Sequence, residues 1–180
     1  SGVDALPQLS ILGLISGTLT AGVILLFRFL IEAPLAYFFP EGDPENFEGL
    51  SVFMRAVLPI SGAFIIGAIW YRLKINQRKV GVAFVMERLN YHQGYIAFKS
   101  MMTQFVGGVL TILSGQSAGR EGPAVHLGAA CSSLLGRYLN LPNNSIRTLI
   151  SCGTAAAISA SFNTPIAGVI FAMEVVMMEY

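Results

Sequence analysis

The sequence predicts an all-α integral membrane protein built of tilted, unequal and partly broken helices. Three observations carry this. Only 12% of the residues are charged and 54% are hydrophobic, with a mean hydropathy of +0.65, whereas a soluble domain usually carries about 25% charged residues. Two apolar runs, Leu9–Phe39 and Ser51–Leu73, are long enough to cross about 30 Å of hydrocarbon. The other apolar segments are shorter and interrupted by glycine, proline or polar residues. Broken helices at membrane depth line cavities or binding sites. A net charge of +1 with no basic face argues against nucleic acid as a partner. The sequence holds no P-loop, no metal-ligand spacing and no nucleophile–base pair, so neither an enzyme nor a cofactor is expected.

Within the first run stand Arg28 and Glu32, spaced i, i+4 and able to pair on one helix face. Pro40–Glu48 is an acidic, turn-rich loop. The second run ends in a basic stretch holding Arg72, Lys74, Arg78 and Lys79. Positive charge marks the cytoplasmic side, so the first span runs outward and the second returns. Val80–Leu89 is apolar but too short to span, and Tyr91–Gly94 reads as a turn in which His92 stands alone. Tyr95–Leu113 is a third long segment, with Lys99 and Gln104 inside it, and Ser114–Gly119 breaks it with small residues.

Pro123–Leu139 is the next helix, with proline in its first turn, where the missing N–H costs nothing. His126, one turn in, is expected to be a packed histidine. Leu141–Ser145 is a loop with Ser145 as the N-cap of a small-residue helix to Ser161. Phe162–Pro165 interrupts the chain, and Ile166–Tyr180 forms a last helix bearing Glu174 and Glu179. Small residues let membrane helices approach closely, which makes Gly13, Gly17, Gly107, Gly108 and Ala155–Ala157 the expected contact points. Cys131 and Cys152 are expected to be buried free thiols. The first residues lack the basic start of a signal peptide, and the chain opens on Ser1 rather than Met. It reads as part of a longer protein.

The stretch Gly119–Gly128, GREGPAVHLG, is the least ordinary. It sets a glutamate at the mouth of an apolar helix, where backbone N–H groups and the helix dipole attract anions. Gly122 through Val125 would direct their amides into one site. Gly119 and Gly122 would let the backbone come close to an ion. The local field favours an ionised Glu121, while low dielectric and a neighbouring anion favour its protonation. Such a group can switch. Arg120 supplies fixed positive charge or pairs with an acid, and the sequence leaves both open.

Gly119-Arg120-Glu121-Gly122-Pro123, followed by Phe162-Asn163-Thr164-Pro165-Ile166-Ala167-Gly168 with Phe171 and Glu174, resembles the ClC family of chloride channels and chloride–proton antiporters. The resemblance implies a homodimer in the membrane with one anion pathway per subunit, each subunit made of two inverted halves. Residues 1–180 would be a partial ClC-type transmembrane domain, the first of the inverted repeats, multi-pass in the plasma (inner) membrane. It implies that Glu121 is the gate, its carboxylate competing with chloride at a site formed by Gly119, Arg120, Gly122, Pro123, Ala124 and Val125.

Two departures from the family pattern bear on mechanism. The family's G-S-G-I-P segment, whose serine helps bind an inner chloride, aligns with Lys79-Val80-Gly81-Val82-Ala83. Gly81 is kept and Val80 takes the serine position, so Val80 and Gly81 are the candidate inner anion site without a side-chain hydroxyl. Antiporters of the family carry two adjacent glutamates, the second of which relays protons. Here Glu174 matches the first and Val175 occupies the second. Valine cannot carry a proton, so a passive chloride channel is the leading expectation. A chloride or fluoride antiporter of the same family is the alternative. A membrane assembly subunit that transports nothing is the third reading, under which Glu121→Ala would alter folding and leave flux unchanged.

Overall fold

The computed structural model describes residues 5–38 and 47–177. Most of the acidic loop expected at Pro40–Glu48 lies outside these residues, as does Glu179. Seven α-helices follow one another: α1 (Ala5–Phe38), α2 (Val52–Arg72), α3 (Val82–Tyr91), α4 (Phe98–Leu113), α5 (Glu121–Tyr138), α6 (Asn143–Phe162) and α7 (Pro165–Phe171). Helix α7 runs on through a π-helical turn at Ala172–Met177. No strand occurs among the described residues, and the fold is all-α as the sequence predicts.

Helices α1 and α2 are the two that are long and apolar enough to cross a membrane, and only 17% and 6% of their apolar stretches are buried inside the chain. A core helix of a water-soluble protein would be mostly enclosed. Here Leu14, Phe29, Phe53, Phe64 and other large apolar side chains face outward, which suits lipid or further protein. Helix α4 is a 16-residue helix, shorter than the segment Tyr95–Leu113 suggests, because Ala97 takes an extended backbone and starts the helix only at Phe98.

Helix ends follow local chemistry. The Ser51 hydroxyl accepts the Met54 N–H at 3.3 Å and caps α2. Helix α4 stops where Gly115 adopts φ +68, its N–H donating to Ile112 O at 3.0 Å. This is the left-handed termination glycine tolerates best. Asn163, at φ 56, ends α6, and Pro165 two residues on opens α7. Ser145 is not the N-cap of α6. The helix begins at Asn143 with Pro142 as its N-cap, so Ser145 lies in the first turn. The turn after α3 is shorter than expected, since the helix runs to Tyr91 and the reversal falls on Gln93 and Gly94, both at positive φ.

The core forms where α5 and α6 cross and α1 lies over both. Ile24, Phe27 and Ile31 of α1 meet Val125, Leu127 and Ala129 of α5 in one buried cluster. Two glycines set the α5–α6 distance: a Cβ on Gly128 would lie 2.5 Å from Gly153 O. The expected small-residue contacts are present. Gly13 and Gly17 face Cys152 and Ala156 of α6, Gly107 receives Trp70, Gly108 receives Phe27 and Pro123, and Ala157 lies against Gly128. Hydroxyls lock the same crossing. Ser16 Oγ and Ser132 Oγ share a bond of 2.7 Å, and Ser132 Oγ also reaches Gly128 O at 3.0 Å. Such polar contacts hold helices together where lipid offers no hydrophobic drive. Cys131 and Cys152 are free thiols, each half-buried.

Candidate functional site at the start of α5

Helix α5 begins at Glu121, two residues before the predicted Pro123, with Arg120 as its N-cap residue. Its charges match its dipole, with Glu121 in the first turn and Arg137 in the last. The Ala124 N–H donates to Arg120 O at 3.0 Å and Pro123 has no N–H. The hydrogen-bond ladder therefore starts at Ala124, and the amides left open at this helix mouth are those of Glu121 and Gly122. Ala124 and Val125 are buried behind them. The expectation of converging amides from Gly122 through Val125 narrows accordingly.

Glu121 is exposed. Its carboxylate folds back into the space that a Cβ on Gly119 would take, so only glycine at 119 leaves it that position. Around Gly122 the same test meets nothing within 4 Å, which leaves the helix mouth open on that side.

Beneath this point is a cavity of about 190 Å³. Gly119 and Pro123 line it from the α5 side, Val80 from the segment before α3, and Gln104, Gly108 and Thr111 from α4. Two stretches that the sequence separates by some forty positions thus share one chamber. Trp70 of α2 closes part of the wall, its indole filling the groove that Gly107 leaves. A larger open groove of about 790 Å³ along α2, lined by Ile60, Phe64 and Tyr71, contains none of the candidate residues. It is an apolar face of a lipid-length helix.

Gly81 is held rather than free. At φ +89 it is the N-cap of α3, and its N–H donates to His126 Nδ1 at 3.0 Å. His126 is fully buried. It also bonds Ser100 Oγ through Nε2 at 3.1 Å, and its ring stacks on Phe84 at 5.2 Å. The packed histidine expected from sequence is thus the brace between α3, α4 and α5.

Arg120 pairs with an acid: its Nη1 donates to Glu32 Oε1 at 3.0 Å. Arg28, spaced i, i+4 from Glu32, reaches the same oxygen through Nε at 3.1 Å. Val175 is half-buried and Glu174 exposed in the π-helical turn after α7. Such turns interrupt helices at functional sites more often than elsewhere.

Sequence reasoning did not single out Glu32 as the partner of Arg120, nor Gln104 and Thr111 as cavity walls. The only signal for Gln104 was an amide inside an apolar segment.

A family model described as voltage gated chloride channel matches residues 62–180, which is well over half of the chain. The chain belongs to the ClC family. Among curated proteins, a ClcB-like chloride channel protein of Ralstonia nicotianae is 36% identical over 127 residues, covering 68% of this chain and 29% of the relative. A chloride/fluoride channel protein of Pseudomonas syringae is 29% identical over 119 residues, covering 66% of this chain and 26% of that protein. The crystal structure of a CLC-type fluoride/proton antiporter superposes with a TM-score of 0.73 at 31% identity, over 94% of this chain and 40% of the antiporter chain. This ClC chain therefore spans less than a third of the length of these two curated relatives.

Proposed function

We propose that this chain is the first inverted repeat of a ClC-type anion-transporting membrane domain, with Glu121 as the gate of a pathway through the chamber beneath α5. Chloride is the proposed ion. The observation that carries the reading is the Glu121 carboxylate folded over Gly119, a residue that lines the same cavity as Pro123 and Val80. An anion and a carboxylate compete for the same open amides of Glu121 and Gly122. Protonation of Glu121 removes its charge and its hold on those donors, and the anion takes its place. The complete protein would be a homodimer in a lipid bilayer, with the plasma (inner) membrane as its proposed location.

Passive conduction is favoured by Val175, which cannot take up a proton at the position where many, though not all, antiporters of the family carry a glutamate. Proton-coupled exchange of chloride or fluoride has one specific observation behind it: the superposed solved structure is that of a fluoride/proton antiporter. The full-length protein in chloride-loaded liposomes separates the two. Chloride efflux and external pH are recorded together, for wild type and Glu121→Ala. Efflux without uphill proton movement supports the channel. Uphill proton movement driven by chloride establishes the antiporter. Normal expression with flux identical in both proteins would remove Glu121 from the pathway.

A further inference from the structure

We propose that the groove along the C-terminal half of α2 binds an anionic phospholipid, with an acyl chain in the groove and the phosphate at Arg72 and Lys74. The inference rests on insertion in a membrane and is independent of Glu121 and of the ion transported. The groove holds about 790 Å³ and runs from Ile60 to Arg72, about 18 Å at 1.5 Å per residue. Half of a hydrocarbon core is about 15 Å thick, so the groove has the length of one leaflet. Ile60, Phe64, Gly67 and Tyr71 recur at three- and four-residue spacing and share one helical face. Gly62 and Trp70 instead pack against Ser114 and Gly107. A Cβ on Gly67 would meet nothing within 4 Å, so the floor of the groove is open space. Phe64 and Tyr71 stand beside it, 76% and 85% exposed.

Charge decides which lipid. The groove ends in the basic stretch of Arg72, Lys74, Arg78 and Lys79. Two of these are engaged. Lys79 Nζ pairs with Glu87 at 3.1 Å. Arg78 donates through Nε to Leu73 O at 3.0 Å and through Nη2 to Tyr71 O at 3.3 Å, which ties the stretch back onto the end of α2. Arg72 and Lys74 are exposed, and neither has an ion pair among the described residues. A zwitterionic headgroup would bring its own cation to this point, and a net negative one brings none. The basic stretch marks this end of α2 as cytoplasmic, on the leaflet that carries the anionic lipids. Tyr71 adds an amphipathic ring at headgroup level.

The test uses the full-length protein in vesicles of equal phosphatidylglycerol and phosphatidylcholine, each lipid in turn carrying a photoreactive acyl chain. Labelling of the α2 segment is read by mass spectrometry, as the ratio of phosphatidylglycerol to phosphatidylcholine. The ratio does not depend on the amount of folded protein. In wild type it should exceed one, by about fivefold for each free cation. Arg72→Gln should lower it about fivefold, and Arg72→Gln with Lys74→Gln should bring it near one. Gly67→Leu fills the groove and should lower labelling by both lipids, with the thermal midpoint kept or raised, since leucine is the better helix former. A wild-type ratio near one, or a ratio that the double variant leaves unmoved, overturns the inference. An α2 that neither lipid labels overturns it too, and a lower midpoint for Gly67→Leu then identifies the rest of the protein chain as the occupant. None of these outcomes bears on ion flux, so the anion-transport reading stands or falls separately.

Discussion

Arg120 Nη1 and Arg28 Nε meet on a single oxygen, Glu32 Oε1, at 3.0 and 3.1 Å. Arg28 also donates through Nη1 to Ala160 O at 3.1 Å. One carboxylate on α1 thus ties together the mouth of α5 and the C-terminal end of α6. All three side chains are partly shielded, with 21–33% of their surface exposed. Their bonds are therefore worth more than those of a surface pair. Glu32→Gln should destabilise the full-length protein by about 1.5–3 kcal/mol, the range for hydrogen bonds to charged groups, read as a lower thermal midpoint in detergent. Combined with Arg120→Gln, the loss should be less than additive, because both changes break the same bond.

His126 should matter for stability more than its distance from Glu121 suggests. His126→Leu removes the acceptor of the Gly81 N–H and the partner of Ser100 at one stroke. Leaving such groups unsatisfied costs about 1–3 kcal/mol each. Ser100→Ala removes one bond and should cost less. Thermal unfolding of the two variants side by side checks the order, and equal midpoints would show that His126 is no brace.

At the α5–α6 crossing the prediction turns on volume alone. Gly128→Ala places a Cβ 2.5 Å from the Gly153 carbonyl and 2.8 Å from Ala157 Cβ, where backbone has to move. Overpacking of this kind typically costs about 1–3 kcal/mol. Gly22→Ala, in a helix position with nothing within 4 Å, should be neutral or slightly stabilising, since alanine is the better helix former. A melting comparison in detergent decides it.

Gly119→Ala separates function from folding. The three atoms nearest to a Cβ there all belong to the Glu121 carboxyl group, the free end of a flexible side chain, so stability should change by less than about 0.5 kcal/mol. The carboxylate, however, loses its resting place. Chloride efflux should change and keep less of its dependence on pH, while expression and melting stay as in wild type.

Much of this was legible in the sequence because it rests on local chemistry. The two spanning helices follow from apolar length, the break between α6 and α7 from Asn163 and Pro165, and the helix mouth at Glu121 from its flanking glycines. The family itself was readable from the two spaced motifs. What stayed hidden depends on pairs far apart in the chain. Nothing near Arg120 reveals Glu32 as its partner, and nothing near Gly81 reveals that its N–H ends on His126. Ser145 is a good capping side chain, yet the extended backbone of Pro142 fixes the start of α6 at Asn143 without any side-chain bond. Gln104 was visible only as an amide among apolar residues; its cavity exists once α2, α4 and α5 have packed.

The central claim is that Glu121 holds the anion pathway closed while it is charged. The most direct measurement is chloride efflux from liposomes containing the full-length protein, taken across a range of pH for wild type and Glu121→Gln. Glutamine has the shape of the protonated acid and cannot ionise. The account predicts that wild-type efflux depends on pH, while Glu121→Gln is insensitive to pH across the same range. Parallel pH profiles in the two proteins would contradict it.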